Sequence, residues 1–376
     1  MRLYILHKLP TPYNDDFFRA LHADSDIQLQ VFHLWRGSER RPWQSEMGTG
    51  YPNYYMQPKW GIDWHSLRLA WGDQESLFMI GDWAHLPAIA LLLVRIIRSF
   101  PVASWVDTPQ EHLKRPFWKR IPRAIFLRWL LSNVDIIFGS GQPARRALLA
   151  MGAPSQKIVD LQFTVNLEHP QKALQDPIMV QRAQALRASV GCKEGVVFGM
   201  SGTIDLQKKA QDIGLKAFAK CLQNAKMPLG LLIAGSGPEL SKLQELANDL
   251  GILDRVNFLG WQEPDGMDAF YMAIDVLLHP ANYDPFPLVV VEAMSWSKPV
   301  VGTSTSGTVE EKVEDGVNGF VVPPGSVVQM SAAMMRFVQD QKLLKSAGRS
   351  ARWTAEKWPM TRLVKIVKQE MMRLGV

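Results

Sequence analysis

Two carboxylates with seven residues between them frame the segment DPFPLVVVEAM, Asp284 to Met294. An Asp-Pro pair suits a helix start, because Asp can cap free N–H groups and Pro fits the first turn. A helix beginning near Pro287 puts Glu292 about one turn in, and helical side chains lean back toward the N-terminus. The Glu292 carboxylate then points toward the free amides, where a diphosphate would sit. It also suits a ribose diol, as acceptor of two hydrogen bonds. The competing reading is a buried strand, favoured by Val289-Val290-Val291. Glu292, AMSWSK and the strand PVVGTS follow at once and weigh against it.

A second group of residues lies upstream. SGTIDLQKKAQDIG follows an apolar run, so Gly202 and Thr203 lead through a short loop to Lys208, Lys209 and a helix with Asp212. Free amides, helix dipole and ammonium then converge on an anion. GLLIAGSGP ends a second run in Gly235-Ser236-Gly237-Pro238, where glycine permits close approach to a ligand. Taken singly, a solvated lysine and a plain turn explain both. Asp24-Ser25-Asp26 has the form of a metal–diphosphate chelate, but it sits between a polar helix and a strand, where turn-forming Asp and Ser belong. With no HxxxH pair among eight histidines, no metal site is proposed.

These residues need a scaffold. RLYIL (2–6), LQVFHL (29–34), SLFMIG (76–81), PVASWV (101–106) and VDIIFGS (134–140) read as buried strands, with NDDFFRALHA and PAIALLLVRIIRS as helices between them. Residues 36–75, rich in Trp, Tyr, Gly and Pro, read as a long irregular insertion. The polar stretch 167–191 reads as an interdomain connection. The rhythm then restarts with GVVFGMSG, GLLIAGSGP, VNFLGW, DVLLHP, PVVGTS and GFVVPP. Two parallel-sheet α/β domains facing across a cleft follow from this, with ligands beyond the carboxyl ends of the strands.

The 376 residues, 47% apolar and 21% charged, suit two domains. Cys192 and Cys221 are too few for a disulfide framework or a tetrahedral zinc site, which points to a reducing compartment. MRLYILHKLP is no signal peptide, and LPAIALLLV is too short to span a bilayer. The expectation is a cytoplasmic protein. Net charge is +6. Residues 112–131 carry six Lys or Arg and no acid, interleaved with Phe117, Trp118, Phe126 and Trp129. Such a stretch suits an anionic membrane face, or is a solvated helix face with core aromatics. Nucleic acid is disfavoured, since no nucleic-acid motif accompanies the charge.

From about residue 195 onward the chain resembles the C-terminal half of the retaining GT-B glycosyltransferases of family 4. GLLIAGSGPELSKLQELANDLGILDRVNFLGW and HPANYDPFPLVVVEAMSWSKPVVGTSTSGTVEEKVEDGVNGFVVP carry the resemblance, with several motifs in order at family spacing. The first half fits more loosely: LPTPYNDDFF stands where the family has a glycine-rich loop. The resemblance implies an N-terminal acceptor domain at 1–170, a linker at 171–194 and a donor domain at 195–359. It also implies a last helix (361–376) crossing back to the first domain on Val364, Val367, Met371 and Leu374.

The family has two glutamates with Pro-Phe-Gly after the first; here the first is Asp284 and the Gly is Pro287. The resemblance implies that Glu292 holds the nucleotide ribose and Asp284 the donor sugar. Phe286, Leu288 and Val289 can still offer amides to the phosphate, whereas Pro287 cannot. Lys209 matches the family lysine on the diphosphate, while Thr203 occupies the position of its arginine partner. Trp261 lies where the family seats the base, and Gly307 and Glu310 match a glycine-and-glutamate loop. In the first domain, Asp107, Thr108 and the PTPYND loop are candidates by strand-end position. The implied reaction is transfer of a sugar, by default from UDP-glucose, to a lipid-linked or glycan acceptor without a metal or cofactor. Rival expectations are a non-catalytic nucleotide-sugar binder and a nucleotide-sugar hydrolase or epimerase.

Overall fold

Short apolar strands alternating with amphipathic helices bury a sheet on both faces only when the strands run parallel and the helices cross over. The computed structural model shows this pattern twice. It describes residues 1–37, 48–81, 83–106 and 117–376, with residues 117–120 as backbone only. The first run is β1 (Arg2–His7), α1 (Pro12–Ala23), β2 (Gln28–His33), β3 (Asn53–Tyr55), α2 (Trp64–Gly72) and β4 (Ser76–Ile80). It continues with α3 (Leu86–Ile97), β5 (Val102–Val106), α4 (Phe117–Asn133), β6 (Ile136–Gly139), α5 (Gly141–Ala150) and β7 (Ile158–Asp160).

The second run opens with α6 (His169–Ala173), α7 (Pro177–Ser189), β8 (Val196–Ser201), α8 (Gln211–Asn224), β9 (Leu229–Ala234), α9 (Leu240–Asp249) and β10 (Val256–Gly260). It closes with α10 (Pro264–Ala273), β11 (Val276–His279), α11 (Leu288–Ser295), β12 (Val300–Thr303), α12 (Gly307–Lys312), β13 (Gly319–Val322), α13 (Val327–Gln339) and α14 (Gln341–Glu356). The last helix is α15 (Met360–Arg373).

The chain divides into two compact units, Met1–Phe163 with Met360–Val376, and Thr164–Pro359. In the first, seven strands among the described residues run in the order β3-β2-β1-β4-β5-β6-β7, all pairings parallel. The order reverses between β1 and β4. The α15 helix completes this unit's core, where Leu363, Val364, Val367 and Met371 pack among Leu3, Ile5, Phe17 and Leu21. Lys368 bonds both oxygens of Asp24 at 3.0 Å and Asp26 at 2.8 Å, so the Asp24-Ser25-Asp26 turn anchors this helix.

In the second unit the order is β10-β9-β8-β11-β12-β13, also parallel, with the reversal between β8 and β11. Both cysteines are buried and form no disulfide, and burial pushes the Cys221 thiol up to about 12.

Two expectations need correction. Residues 36–75 are not one irregular insertion: β3 pairs with β2, and Asp63 caps α2 by accepting from Ser66 N at 2.8 Å. The strand is only three residues long, and aromatic residues obscure the helix's polar–apolar period. Residues 171–194, expected as the linker between domains, fall within the second unit. Most of them form α6 and α7, and Ala173, Ala183, Val190 and Cys192 are buried in the second unit's core.

Candidate functional site

In a doubly wound sheet the crevice lies where strand order reverses, beyond the carboxyl ends. In the second unit that is the end of β8 and β11, and the residues of the 200–310 group gather along this edge. Ile204 N donates to Ser236 O at 3.0 Å, Gly202 N to Ala234 O at 3.0 Å, and Gly235 N to Gly260 O at 2.7 Å. These bonds align the ends of β8, β9 and β10, with Trp261 next along the chain; its Nε1 donates to Glu263 at 3.2 Å.

Gly235 and Gly237 are required by the protein itself. A Cβ on Gly235, at φ +142°, would lie 1.9 Å from Gly202 O, and one on Gly237 would lie 2.2 Å from Ile204 O. Their close approach is to the neighbouring loop. Gly202 also holds a positive φ, +128°, but nothing stands within 4 Å of its missing Cβ, so the space over β8 stays open. Gly235→Ala should therefore destabilise the chain by about 3 kcal/mol or more, from backbone strain plus overlap. An unchanged urea midpoint would contradict this placement.

The loop after Thr203 positions Lys209. Lys208 N donates to Asp205 Oδ1 at 2.8 Å, and Gln211 Nε2 to Thr203 O at 2.8 Å. Ala210 turns left-handed, at φ 51°, just before α8. Lys208 O accepts from Asn282 N at 2.8 Å and Tyr283 N at 3.2 Å, which ties this loop to the segment after β11. Lys209 Nζ thus meets the Asp284 carboxylate in a tight ion pair. His279 Nε2, at the end of β11, lies 3.2 Å from the same oxygen but off hydrogen-bond alignment. Burial pushes Asp284 up. The His279 contact and the Lys209 charge outweigh that and hold it below the usual carboxylate range.

Asp284 does not cap α11, contrary to expectation. Its side chain turns to Lys209, its carbonyl accepts from Gly307 N at 2.9 Å, and its backbone bridges to Ser306. Pro287 occupies the cap position, with no side-chain cap. The segment is nevertheless helical from Leu288, because a parallel crossover from β11 to β12 must run back along the sheet. Burial of Val290, Val291, Ala293 and Met294 outweighs the few tenths of a kcal/mol that each valine costs in a helix. Phe286 and Pro287 are buried, and Leu288 and Val289 stand half-exposed at the start, where a helix leaves its first amides unbonded.

Glu292 does not bend back to those amides. It accepts a hydrogen bond from the Tyr271 hydroxyl of α10, and burial pushes its carboxyl up. Burial and the Glu292 carboxylate push the Tyr271 phenol well above its usual range, and Ser201, the last residue of β8, bonds the same hydroxyl. The carboxylate is thereby fixed near the end of β8. Neither Tyr271 nor His279 is among the residues that the sequence marks out. His279 carried one legible signal, a polar residue closing an apolar strand, and Tyr271 carried none. Gly307 opens α12 and is buried, while Glu310 in its first turn is exposed.

In the first unit, Asp107 and Thr108 lie outside the described residues. The PTPYND loop does not open outward: Asn14 and Asp15 are buried in the first turns of α1. Asp15 accepts from Gly48 N at 2.6 Å and Tyr51 Oη at 2.7 Å, and Tyr51 contacts His33 Nε2 at 3.2 Å. Asn14 Nδ2 donates to His7 Nε2 at 3.0 Å, which closes a polar cluster beyond β1 and β2. The Tyr51 proton goes to Asp15, so His33 Nε2–H donates to the Tyr51 oxygen, and His33 Nδ1 has no partner among the described residues. Burial, then His7, lowers His33 to about 3. The cluster's members are scattered from residue 7 to residue 51, and no spacing joins them.

Residues 184–353, all within the second unit, match the family described as glycosyl transferases group 1. The chain is 31% identical over 162 residues to N-acetyl-alpha-D-glucosaminyl L-malate synthase of Bacillus anthracis, covering 43% of this chain and 40% of that protein. It is 34% identical over 120 residues to lipopolysaccharide core biosynthesis glycosyltransferase LpsE of Rhizobium meliloti, covering 32% and 34% respectively. The chain therefore spans less than half the length of these curated relatives. Its fold is similar over 99% of its length to the crystal structure of Anabaena Alr3699/HepE in complex with UDP, covering 100% of that chain at a TM-score of 0.79 and 18% identity. The second unit thus carries the match to the glycosyl transferases group 1 family, and the fold, two parallel-sheet α/β units, is similar to that of the GT-B glycosyltransferases.

Proposed function

We propose that this chain is a retaining glycosyltransferase of family 4 that moves a sugar from a nucleotide diphosphate, by default UDP-glucose, to an acceptor hydroxyl. One observation carries the reading: Lys209, Asp284 and the α11 start meet at the strand-order reversal of a group 1 domain. Structures similar in fold were obtained with UDP and with UDP-glucose, which supports that donor as the default.

Lys209 and the first amides of α11 stabilise charge that develops on the leaving diphosphate, with no metal assigned to this role. The bond from the anomeric carbon to the phosphate oxygen breaks, and a bond to the acceptor oxygen forms on the same face. The acceptor proton passes to the departing phosphate. Asp284 orients the donor sugar and Glu292 the ribose, so the two carboxylates are not a hydrolase's acid and nucleophile. Gly202, Thr203 and Trp261 line the nucleotide's path along the strand ends. The acceptor is a lipid-linked or glycan hydroxyl of envelope or exopolysaccharide synthesis. Residues 112–131 touch the inner membrane face from the cytoplasm.

The test is nucleotide release from UDP- and GDP-sugars with and without lipid extract. Release that requires lipid supports transfer, and release without it points to hydrolysis or epimerisation. Binding with no release leaves a nucleotide-sugar binder, a reading that Thr203 in the arginine position favours. Glu292→Gln should weaken UDP binding about tenfold by calorimetry, the loss of one charge-assisted bond. Full affinity would remove the ribose assignment.

A further inference from the structure

Helix α3 is apolar on the side that faces solvent. Leu86, Ala90, Leu93 and Ile97, at i, i+4, i+7 and i+11, form one stripe, with Leu86 65% and Ile97 71% exposed. A helix apolar all round is normally covered. The neighbouring α2 presents Trp64, Arg68 and Trp71 outward, at i, i+4 and i+7. Both helices run against the strands, so their N-termini lie together: a Cβ on Gly61 would meet Leu86 at 2.9 Å. At the other end the Arg98 guanidinium stacks 4.9 Å from the Trp71 ring.

Ahead of α2, Lys59 and Ile62 exchange backbone hydrogen bonds of 2.9 and 3.0 Å across Trp60 and Gly61. Both turn residues have positive φ, 59° and 81°, an uncommon state for a residue as bulky as Trp. Trp60 projects 98% exposed from this tight turn. Asp63 fixes the base, accepting from Gln57 N at 2.9 Å as well as from Ser66 N.

We propose that this face, made of the Trp60 turn, α2 and α3, docks on the surface of a bilayer bearing anionic headgroups. Charge selects the partner. Among the described residues of 57–98 on this face, the exposed Lys and Arg side chains are Lys59, Arg68 and Arg98; the acid Asp63 is buried in its cap, and Asp82 lies outside the described residues. Just past α2, Asp73 and Glu75 both pair with Arg2, which leaves one negative charge there against the three positive ones of the face. Tryptophan beside basic residues matches the headgroup layer, where the ring is buried and the indole N–H stays wet. No helix among the described residues is long and apolar enough to cross a membrane, so the contact is peripheral. The proposal does not draw on residues 112–131 and is independent of the donor chemistry.

The experiment is flotation with vesicles of phosphatidylcholine alone or mixed with phosphatidylglycerol, on the full chain. The parent chain is expected to float with the anionic vesicles and to release in high salt. Trp60→Asn with Trp64→Gln, and separately Lys59→Glu with Arg68→Glu, should each cut the bound fraction about tenfold with unchanged melting. Trp60→Asn suits the left-handed turn, so folding is spared. Undiminished flotation in both double variants overturns the proposal. So does loss confined to charge reversal at Lys119 and Arg120. A parent chain that is dimeric in solution, ignores vesicles and becomes monomeric in the tryptophan variant assigns the face to a second copy instead.

Discussion

Replacing Lys209 with methionine is expected to lower nucleotide-sugar turnover about 10²- to 10³-fold, the usual cost of removing one preorganised group that stabilises transition-state charge. The same change should lower stability. Asp284 is 7% exposed, and its carboxylate would remain buried without its ammonium. Removing one partner of a buried pair costs about 3–5 kcal/mol. The two effects separate in a double variant. Lys209→Met with Asp284→Asn removes the orphaned charge and should recover most of the stability, yet none of the turnover. Donor-dependent nucleotide release and urea denaturation measure the two quantities. Near-parent turnover in either variant would reduce Lys209 to a structural role.

Acid should weaken the first unit through His33. Its folded-state value is about 3, against an ordinary 6.5. Above 6.5 the imidazole is neutral in both states and costs nothing. Below it the unfolded chain takes up a proton that the folded chain refuses, so stability falls by about 1.4 kcal/mol per pH unit. The loss levels off near pH 3, after roughly 4 to 5 kcal/mol. Asp15 acts in the opposite sense. Burial raises its carboxyl, so the folded state gains that proton first and offsets part of the loss as pH falls through the carboxylate range. The clear window is therefore pH 5 to 6.5. His33→Gln keeps a donor for Tyr51 and should flatten the slope there by one proton. Equal slopes in parent and variant, from urea titrations at each pH, would contradict a neutral buried His33.

The sheet scaffold is legible because parallel strands buried on both faces are continuous apolar runs, and most strands begin and end within a residue or two of those runs. The α11 helix was legible by its context, since valine propensity alone points to a strand. Partners across the fold were not legible. Asp284 reads as a cap beside Pro285, yet Lys209, seventy-five residues away, claims its carboxylate. Asn14 and Asp15 read as an open loop, yet His7, Gly48 and Tyr51 draw them inward. Local sequence encodes backbone preference; which charge finds which partner is settled by topology.

The helix that completes the first unit has a consequence for how the chain is made. Residues 360–373 supply one wall of a core whose other walls are strands and helices of the first 163 residues. During synthesis the intervening residues 164–359 must emerge first, which takes roughly 10 to 40 s at ordinary translation rates. Over that interval Phe17, Leu21 and their neighbours on α1 lack their cover, and Asp24 and Asp26 lack Lys368. The second unit, continuous in sequence, can close by itself in the meantime. The order of maturation on the ribosome is thus the reverse of the order in the gene: the later-encoded unit is finished first. The nascent amino-terminal half is the part that needs chaperone protection.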